Sequence, residues 1–453
     1  MSHRLAAVAA AGWLLSAGLA TSARADGDLE SILGGFDDTP AVPDRPAATA
    51  IDPESPWRLS GEARLDTVVN YAHDAPDGAE ADYRGLSKLQ GGLRVALDLD
   101  WGGLEARLAG QGSRDVVYPI KKRDEFTHAV LQSYEAGLEV TELWVRASPI
   151  PKVDLKVGRQ VVVWGRSDTL RVVDVLNPSD NREPGRIDLA DLRLPVAMTR
   201  LDYYLGQLAF TGIAIHESRF NKEPAAGSDF ATLGLPAIGV SRPANGGDDT
   251  EWAAAVSGRF QGWDASLHWA RVYEDRPRLD PETGLLEHAR YTLLGATGNY
   301  ALGNWLLKGE LARNQGLRYA AVPRRRFARS DAMLGLEYSG LRDTSVALEV
   351  VGRRLHGFEA PLEQLPDVAQ RNTLETSLRY SASYQNDALH LTLLGVWFGE
   401  WGHDGAVYRA SLRKDIWDGF SGELGVVVYE GGTALLDTLD DNDRLFLTFR
   451  HSF

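Results

Sequence analysis

The sequence predicts an all-β fold: a transmembrane antiparallel β-barrel of about 18 strands, with about 16 as the alternative, joined by short periplasmic turns and long external loops. Three observations predict it. The amino terminus is laid out for export, the rest of the chain carries its hydrophobicity in alternation rather than in runs, and the links between alternating segments are short and long by turns.

Residues 1–25 read as a signal peptide: His3 and Arg4, an apolar stretch from Leu5 to Leu19, then Ala23-Arg24-Ala25, which fits small-x-small cleavage before Asp26. The apolar stretch is shorter than the roughly 20 residues a spanning helix needs. With no cysteine in the chain, disulfides, thiolate metal sites, cysteine nucleophiles and lipid anchors are excluded. The formal charge is −15, and cleavage removes Arg4 and Arg24 but no acid, which argues against nucleic acid as a partner. Residues 26–56, rich in Asp, Pro and Ala, read as a periplasmic tether. It is either a disordered tail or, through Asp28–Phe36, a docking peptide for a periplasmic or exporter partner.

From Trp57 to Phe453 the period is two. Leu59, Ala63, Leu65, Thr67 and Val69 share one face of the first segment, and Arg58, Glu62, Arg64, Asp66 and Asn70 the other. A helix would scatter these charges around its circumference, because it places residues three and four apart on one face. The second segment repeats the pattern, with Leu89, Leu93, Val95 and Leu97 against Lys88, Gln90, Arg94 and Asp98. Tight links recur near 102–103, 149–152, 205–207, 261–262, 301–304, 339–343, 385–388 and 415–418. Long ones fall near 74–86, 116–137, 166–194, 217–249, 275–287, 314–328, 355–371, 400–404 and 431–442. Short turns belong to the periplasmic side, so both ends of the barrel are periplasmic and the strand number is even. The segments 138–149 and 207–217 alternate least cleanly, which is what keeps the lower count open. A barrel of this size is too wide for side chains to fill and leaves an aqueous lumen.

The last segment places Leu445, Leu447, Phe449, His451 and Phe453 on one face. An alternating strand ending in phenylalanine resembles the C-terminal signal read by the barrel-assembly machinery, with Phe449 and Phe453 as its aromatic positions. The plainer reading makes them membrane-interface aromatics.

The densest motif is Val157-Gly158-Arg159-Gln160-Val161-Val162-Val163-Trp164-Gly165, read as the close of the fifth strand, followed by Asp168, Arg171, Asp174, Leu176-Asn177-Pro178-Ser179-Asp180 and Arg182-Glu183. Gly158 and Gly165 mark a close backbone approach. Here the chain resembles an uncharacterised family of proteobacterial outer-membrane proteins, a domain of unknown function akin to porins and alginate-export barrels. The likeness extends more weakly to Gly262-Trp263-Asp264, Leu294-Gly295-Ala296 and Asn442-Asp443-Arg444. Members are often encoded beside RND-type exporters, so the resemblance implies export of hydrophobic compounds or lipid trafficking as an alternative to a solute channel. The family implies no site residues.

By register the lumen carries both signs. Basic positions include Arg64, Lys88, Arg94, Arg107, Arg379 and Arg409, and acidic ones Glu105, Glu310 and Glu349. Pairing across the ladder makes these a stiffened wall, and the absence of a one-signed ring predicts weak ion selectivity. The loop 166–194 mixes charges with Leu170, Val172, Val173, Val175 and Leu176, and stands third among the external loops, the position of the inward-folded loop of general porins. It is expected to form the constriction, with Asp168, Arg171, Asp174 and Arg182 facing the solute, unless it is an ordinary external lid. Arg318, Arg324, Arg325, Arg326 and Arg329 form a basic external cluster suited to lipopolysaccharide phosphates or an anionic solute, or simply a solvated run. Asp248, Asp249, Asp437, Asp440, Asp441 and Asp443 lack the spacing of a calcium loop, so no metal or other cofactor is expected. An outer-membrane hydrolase is the rival class, with His73, His216, His288, His356 and His403 near strand ends, but no local nucleophile motif supports it. No catalytic residue is assigned.

Overall fold

The computed structural model describes residues 55–76, 81–186, 192–231, 238–432 and 439–453. The signal peptide, the tether up to residue 54, and Asp437 lie outside the described residues. Eighteen strands form one antiparallel sheet: β1 (Trp57–Asn70), β2 (Gly85–Trp101), β3 (Leu104–Asp115), β4 (Ala136–Ile150), β5 (Val153–Gln160), β6 (Val196–Leu205), β7 (Leu208–Ile215), β8 (Glu251–Phe260) and β9 (Trp263–Tyr273). The second half comprises β10 (Arg290–Leu302), β11 (Trp305–Leu317), β12 (Phe327–Leu341), β13 (Thr344–His356), β14 (Asn372–Tyr384), β15 (Leu389–Phe398), β16 (Gly405–Trp417), β17 (Phe420–Glu430) and β18 (Arg444–Ser452). Each strand pairs with its chain neighbour, and β1 pairs with β18 from Glu62↔Ser452 to Asn70↔Arg444, which closes the barrel. Closure leaves no sheet edge unpaired, the condition for a sheet at membrane depth.

The alternation sorts residues across the wall. Leu65, Leu108, Leu267, Leu311 and Leu334 point outward and are exposed, whereas their inward neighbours Asp66, Ala109, Ser266, Ala312 and Met333 are buried. In water such an apolar exterior would be costly at roughly 25 cal/mol per Å²; against lipid tails it is the required surface. Aromatic side chains gather at the short-turn end: Phe260 stacks on Trp263 (4.2 Å), Trp417 on Phe420 (4.3 Å), and Trp305 meets Tyr338 (4.4 Å). They form the girdle expected at a membrane interface. At the seam Phe453 exchanges two backbone hydrogen bonds with Gly61 (2.8 and 2.9 Å), and its ring occupies the space a side chain at residue 61 would need.

Two details differ from the sequence reading. The weak alternation near 138–149 reflects a register shift between β3 and β4 at Ala109/Gly110, a bulge that re-aims Glu142 inward. The fifth strand stops at Gln160 rather than running on to Gly165. Val161–Gly165 leaves the sheet because its apolar side chains have a better partner, the inner wall.

Candidate functional site

The segment after β5 turns into the barrel. Its root is fixed at Gly158, whose φ of +127° and 2.1 Å clearance from the Leu143 carbonyl oxygen admit no side chain. Asn177, fully buried, pins the outgoing and returning chain together. It accepts from the Val162 N–H (2.8 Å) and donates to the carbonyls of Leu194 (2.9 Å) and Gln160 (3.3 Å). Val162, Trp164, Leu170, Val172, Val173 and Leu176 then pack on inward-facing Met198, Ile213, Ala253, Ala270, Val272 and Leu293. Trp164 lies against the His268 ring (4.7 Å), and Gly295 leaves room for Val173.

Beyond this pad the loop reaches β11–β13. Glu310 collects the N–H groups of Arg166 (2.5 Å), Ser167 (2.9 Å) and Val173 (3.1 Å). Glu349 collects those of Asp168 (2.8 Å) and Thr169 (3.2 Å) together with the Ser167 hydroxyl (2.6 Å). Each carboxylate thus sits in a cradle of backbone donors, an arrangement that satisfies a buried anion without a cation. Gly165 is required there, since a Cβ would stand 2.9 Å from Glu310. Arg166 pairs with Asp264 (2.6 Å), Lys308 with Asp168 (2.6 Å), and Arg353 donates to the Arg171 carbonyl (3.0 Å).

The returning limb reaches a third sector of the wall. Glu183 is held by both Lys88 of β2 and Arg186, Arg186 pairs with Asp66 of β1 (2.8 Å), and the Tyr429 hydroxyl of β17 donates to the Pro184 carbonyl (2.6 Å). Roots at β5–β6, contacts at β11–β13 and contacts at β17–β2 divide the circle of strands into rough thirds. The loop therefore crosses the lumen instead of capping it. A second loop also enters: Phe230 is buried among Val68, Val427, Tyr429 and Phe446, and Asp229 pairs with Arg444 (3.3 Å) and accepts at its carbonyl from Asn442 (2.5 Å).

These contacts change the roles of several predicted residues. Asp168 is half-exposed and paired with Lys308, but Asp174 does not face a solute path. It is 5% exposed, pairs with Arg193 (2.7 Å) and accepts from the Trp164 N–H (3.3 Å), so it holds the loop's own fold. Arg171 is likewise turned inward on the loop, donating to the carbonyls of Asp174 (2.9 Å) and Asn177 (2.6 Å). Arg182 pairs with Asp180 (2.6 Å) and donates to the Ser133 carbonyl in the loop between β3 and β4.

Of the residues read as lumen-lining, Lys88, Glu310 and Glu349 face inward yet are covered by the loop that they bind. Arg94 and Arg107 share Glu142 (both 3.3 Å), Glu105 meets Arg146 (3.5 Å), Arg409 pairs with Glu423 (3.0 Å) and Arg64 with Asp66 (3.3 Å). Arg379 faces inward between Ala347 and Leu394. Arg329 belongs to the wall rather than the external cluster, because it is on β12 and pairs with Asp331 (2.7 Å); Arg325 pairs with Glu359.

The rim histidines are engaged locally: His216 with the Thr199 hydroxyl (2.9 Å), His356 with the Ser330 hydroxyl (3.0 Å), and His288 stacked on Phe220 (3.4 Å). Among the described residues no group of three or more His, Asp or Glu side chains is placed to hold a metal ion. The scattered fragments 262–264, 294–296 and 442–444 acquire a common meaning, since Asp264, Gly295 and Asn442 each contact an inserted loop.

A profile described as protein of unknown function, DUF1302, matches residues 84–453. The chain belongs to this family. That bears out the resemblance read from the 157–183 motif. No protein of curated function matches the sequence significantly. Similar solved structures include Acinetobacter baumannii OccAB1 (TM-score 0.53, 11% identity, covering 90% of this chain and 99% of that one) and OccAB3 (0.52, 12%, 88% and 99%). Pseudomonas aeruginosa OpdK with vanillate is also similar (0.50, 9%, 88% and 98%). At these identities the likeness is one of fold. The DUF1302 barrel, with its apolar belt and aromatic girdle, is an outer-membrane protein.

Proposed function

We propose that this barrel is a porin-like channel that passes small polar solutes through the outer membrane with weak ion selectivity, and that the loop from Val161 to Pro195 sets its bore. The observation that carries this reading is the loop's course: it is rooted at β5–β6 and fastened at two further sectors of a wall too wide to close on itself. Weak selectivity follows from pairing, because Arg94, Arg107, Arg146, Lys308 and Arg409 each stand beside a carboxylate and the two signs screen one another.

The same course bears on the alternative of a conduit for lipids or hydrophobic compounds. The inward apolar surface of β6–β10 lies under the loop, so the lining left to a solute is polar and favours the channel. The test is conductance of the purified, folded protein in a planar bilayer, with reversal potential measured across a salt gradient. Discrete open levels with a reversal potential near zero are expected. A folded barrel that never conducts overturns the channel, and a strong preference for one sign of ion overturns the weak selectivity.

A further inference from the structure

The burial of inward-facing side chains around the wall locates the opening past the loop; the argument rests on the channel reading above. From β5 round to β14 the mid-wall inward residues Met198, Leu293 and Glu310 (0–2% exposed) and Ser377 (1%) are buried, while Arg200, Glu337, Arg353, Glu375 and Arg379 stay part-exposed. Val396 of β15 packs against the same apolar cluster, and from β16 to β1 Ser411, Val427, Thr448 and Asp66 are buried. Strands β2–β4 differ at Gln111, although Ala96 and Ala109 of the same face are buried. Lys88 and Asp115 near the outer ends of these strands are covered, but below them Gln90, Gly92, Arg94, Ser113 and Glu142 are part-exposed, and Gln111 is exposed although its register aims it inward between Arg94 and Glu139.

Small residues also line the wall there. Gly92, Ser113 and Gly137 stand directly opposite one another across three strands, and nothing lies closer than 3.5 Å to a side chain built at either glycine. We infer that the solute passes between the inserted loop and the face of β2–β4, with Gln111 as the side chain it contacts first and the Arg94–Glu142–Arg107 group as its neighbours.

The chemistry of that face names the solute class. Gln111 offers both a donor amide and an acceptor carbonyl. The adjacent charges cancel, with Arg94 and Arg107 on Glu142 (3.3 Å each) and Arg107 on Asp98 (3.1 Å). The loop side repeats this balance in Asp180–Arg182 (2.6 Å), and Glu139 of β4 is met by Lys222 (2.8 Å) and Arg219 of the loop between β7 and β8. A solute with several hydrogen-bonding groups and no net charge, a polyol or a zwitterion, can exchange its hydration for this lining at least cost, whereas an ion of either sign meets its repelling partner.

The chain contains no cysteine, so a single one is a unique handle. Gln111→Cys and, as the covered counterpart, Ser377→Cys are purified as full-length barrels and treated with a charged methanethiosulfonate reagent. Labelling is read by mass and conductance in a bilayer. Gln111→Cys should label within minutes and lose at least half of its conductance, while Ser377→Cys should resist labelling and conduct unchanged. Prompt labelling of Ser377→Cys, failure of Gln111→Cys to label, or labelling of Gln111→Cys without a fall in conductance overturns the route. If the untreated barrel does not conduct, the channel reading fails instead, and the two labelling rates still report whether the β2–β4 face is the open one.

Discussion

The two ends of the inserted loop are fastened by opposite physics. At β11–β13 the loop lends backbone N–H groups to Glu310 and Glu349 and lays apolar side chains on the wall. At β1–β2 it is held by an alternating set of full charges, Asp66, Arg186, Glu183 and Lys88, all with little solvent access. The first fastening is built mainly from packing and backbone hydrogen bonds, with the Arg166–Asp264 and Lys308–Asp168 pairs (2.6 Å each) beside them. The second depends on charge balance, because a buried pair is close to neutral in net worth while intact but costs about 3–5 kcal/mol when one partner is removed. The difference teaches that the near half of the loop behaves as part of the wall, and that the far half is the part chemistry can release.

The strongest way to break this comparison is to remove both fastenings together. Deleting 166–194 while joining its ends takes away the crossing segment but leaves all eighteen strands, so the barrel should assemble and its single-channel conductance should rise several-fold. A correctly folded deletion with unchanged conductance would show that the bore is set elsewhere. Next in size is Glu183→Gln, which leaves Lys88 and Arg186 buried together with Asp66 as the remaining carboxylate of the set. The loss of about 3–5 kcal/mol at the far end should raise the mean conductance and add flicker between levels, with the unfolding temperature of the barrel itself little changed. A steady, wild-type trace would mean that Tyr429 and Pro184 hold the tip without the charges.

Much of this architecture was legible in the chain because its signals are local. Period-two alternation puts Leu65 against lipid and Asp66 in the lumen without reference to any other strand, and a tight link such as Trp101-Gly102-Gly103 announces a periplasmic turn. The inward course of 166–194 was legible as a mixture of apolar and charged residues. What each residue does there was not, since Asp174 looks like a pore-facing acid until Arg193 is found 2.7 Å away. Glu310 likewise reads as a wall charge, because its partners are backbone N–H groups more than 130 positions earlier, which leave no mark in composition. The second inserted loop was missed altogether. Its signals were Asp229 and Phe230 at the head of the apolar run 230–240, together with Asn442 and Arg444, whose joint meaning depends on closure of β18 onto β1.

A smaller effect is expected at the near end from Glu310→Gln. The amide keeps one oxygen for Arg166 and Ser167 but turns an N–H toward the N–H of Val173, leaving a buried donor unsatisfied at about 1–3 kcal/mol. Apolar packing around Val173 should keep the loop in place. The predicted outcome is a lower unfolding temperature with nearly unchanged conductance, the reverse of Glu183→Gln. Should both variants alter conductance alike, the distinction between the two ends fails.

The smallest expected effect is that of pH, and its sign follows from Glu183. Burial alone would raise this carboxyl, but Arg186 and Lys88 outweigh it and hold the group well below the usual carboxylate range. A group whose folded pKa is depressed contributes stability that is fully present above its unfolded value, about 4.3 for a glutamate, and that is lost only as pH falls through the lower folded value. The far fastening is therefore intact throughout the interval from about pH 5 to 8 and begins to weaken only below about 4. Conductance recorded at fixed salt should be flat across the neutral range and rise only in strong acid. In Glu183→Gln the acid response should shrink, since Asp66 is then the one carboxylate of the set left to take up a proton. A step in wild-type conductance near neutrality that survives this substitution would assign the release of the loop to another titrating group and would separate the far fastening from the gate it is argued to be.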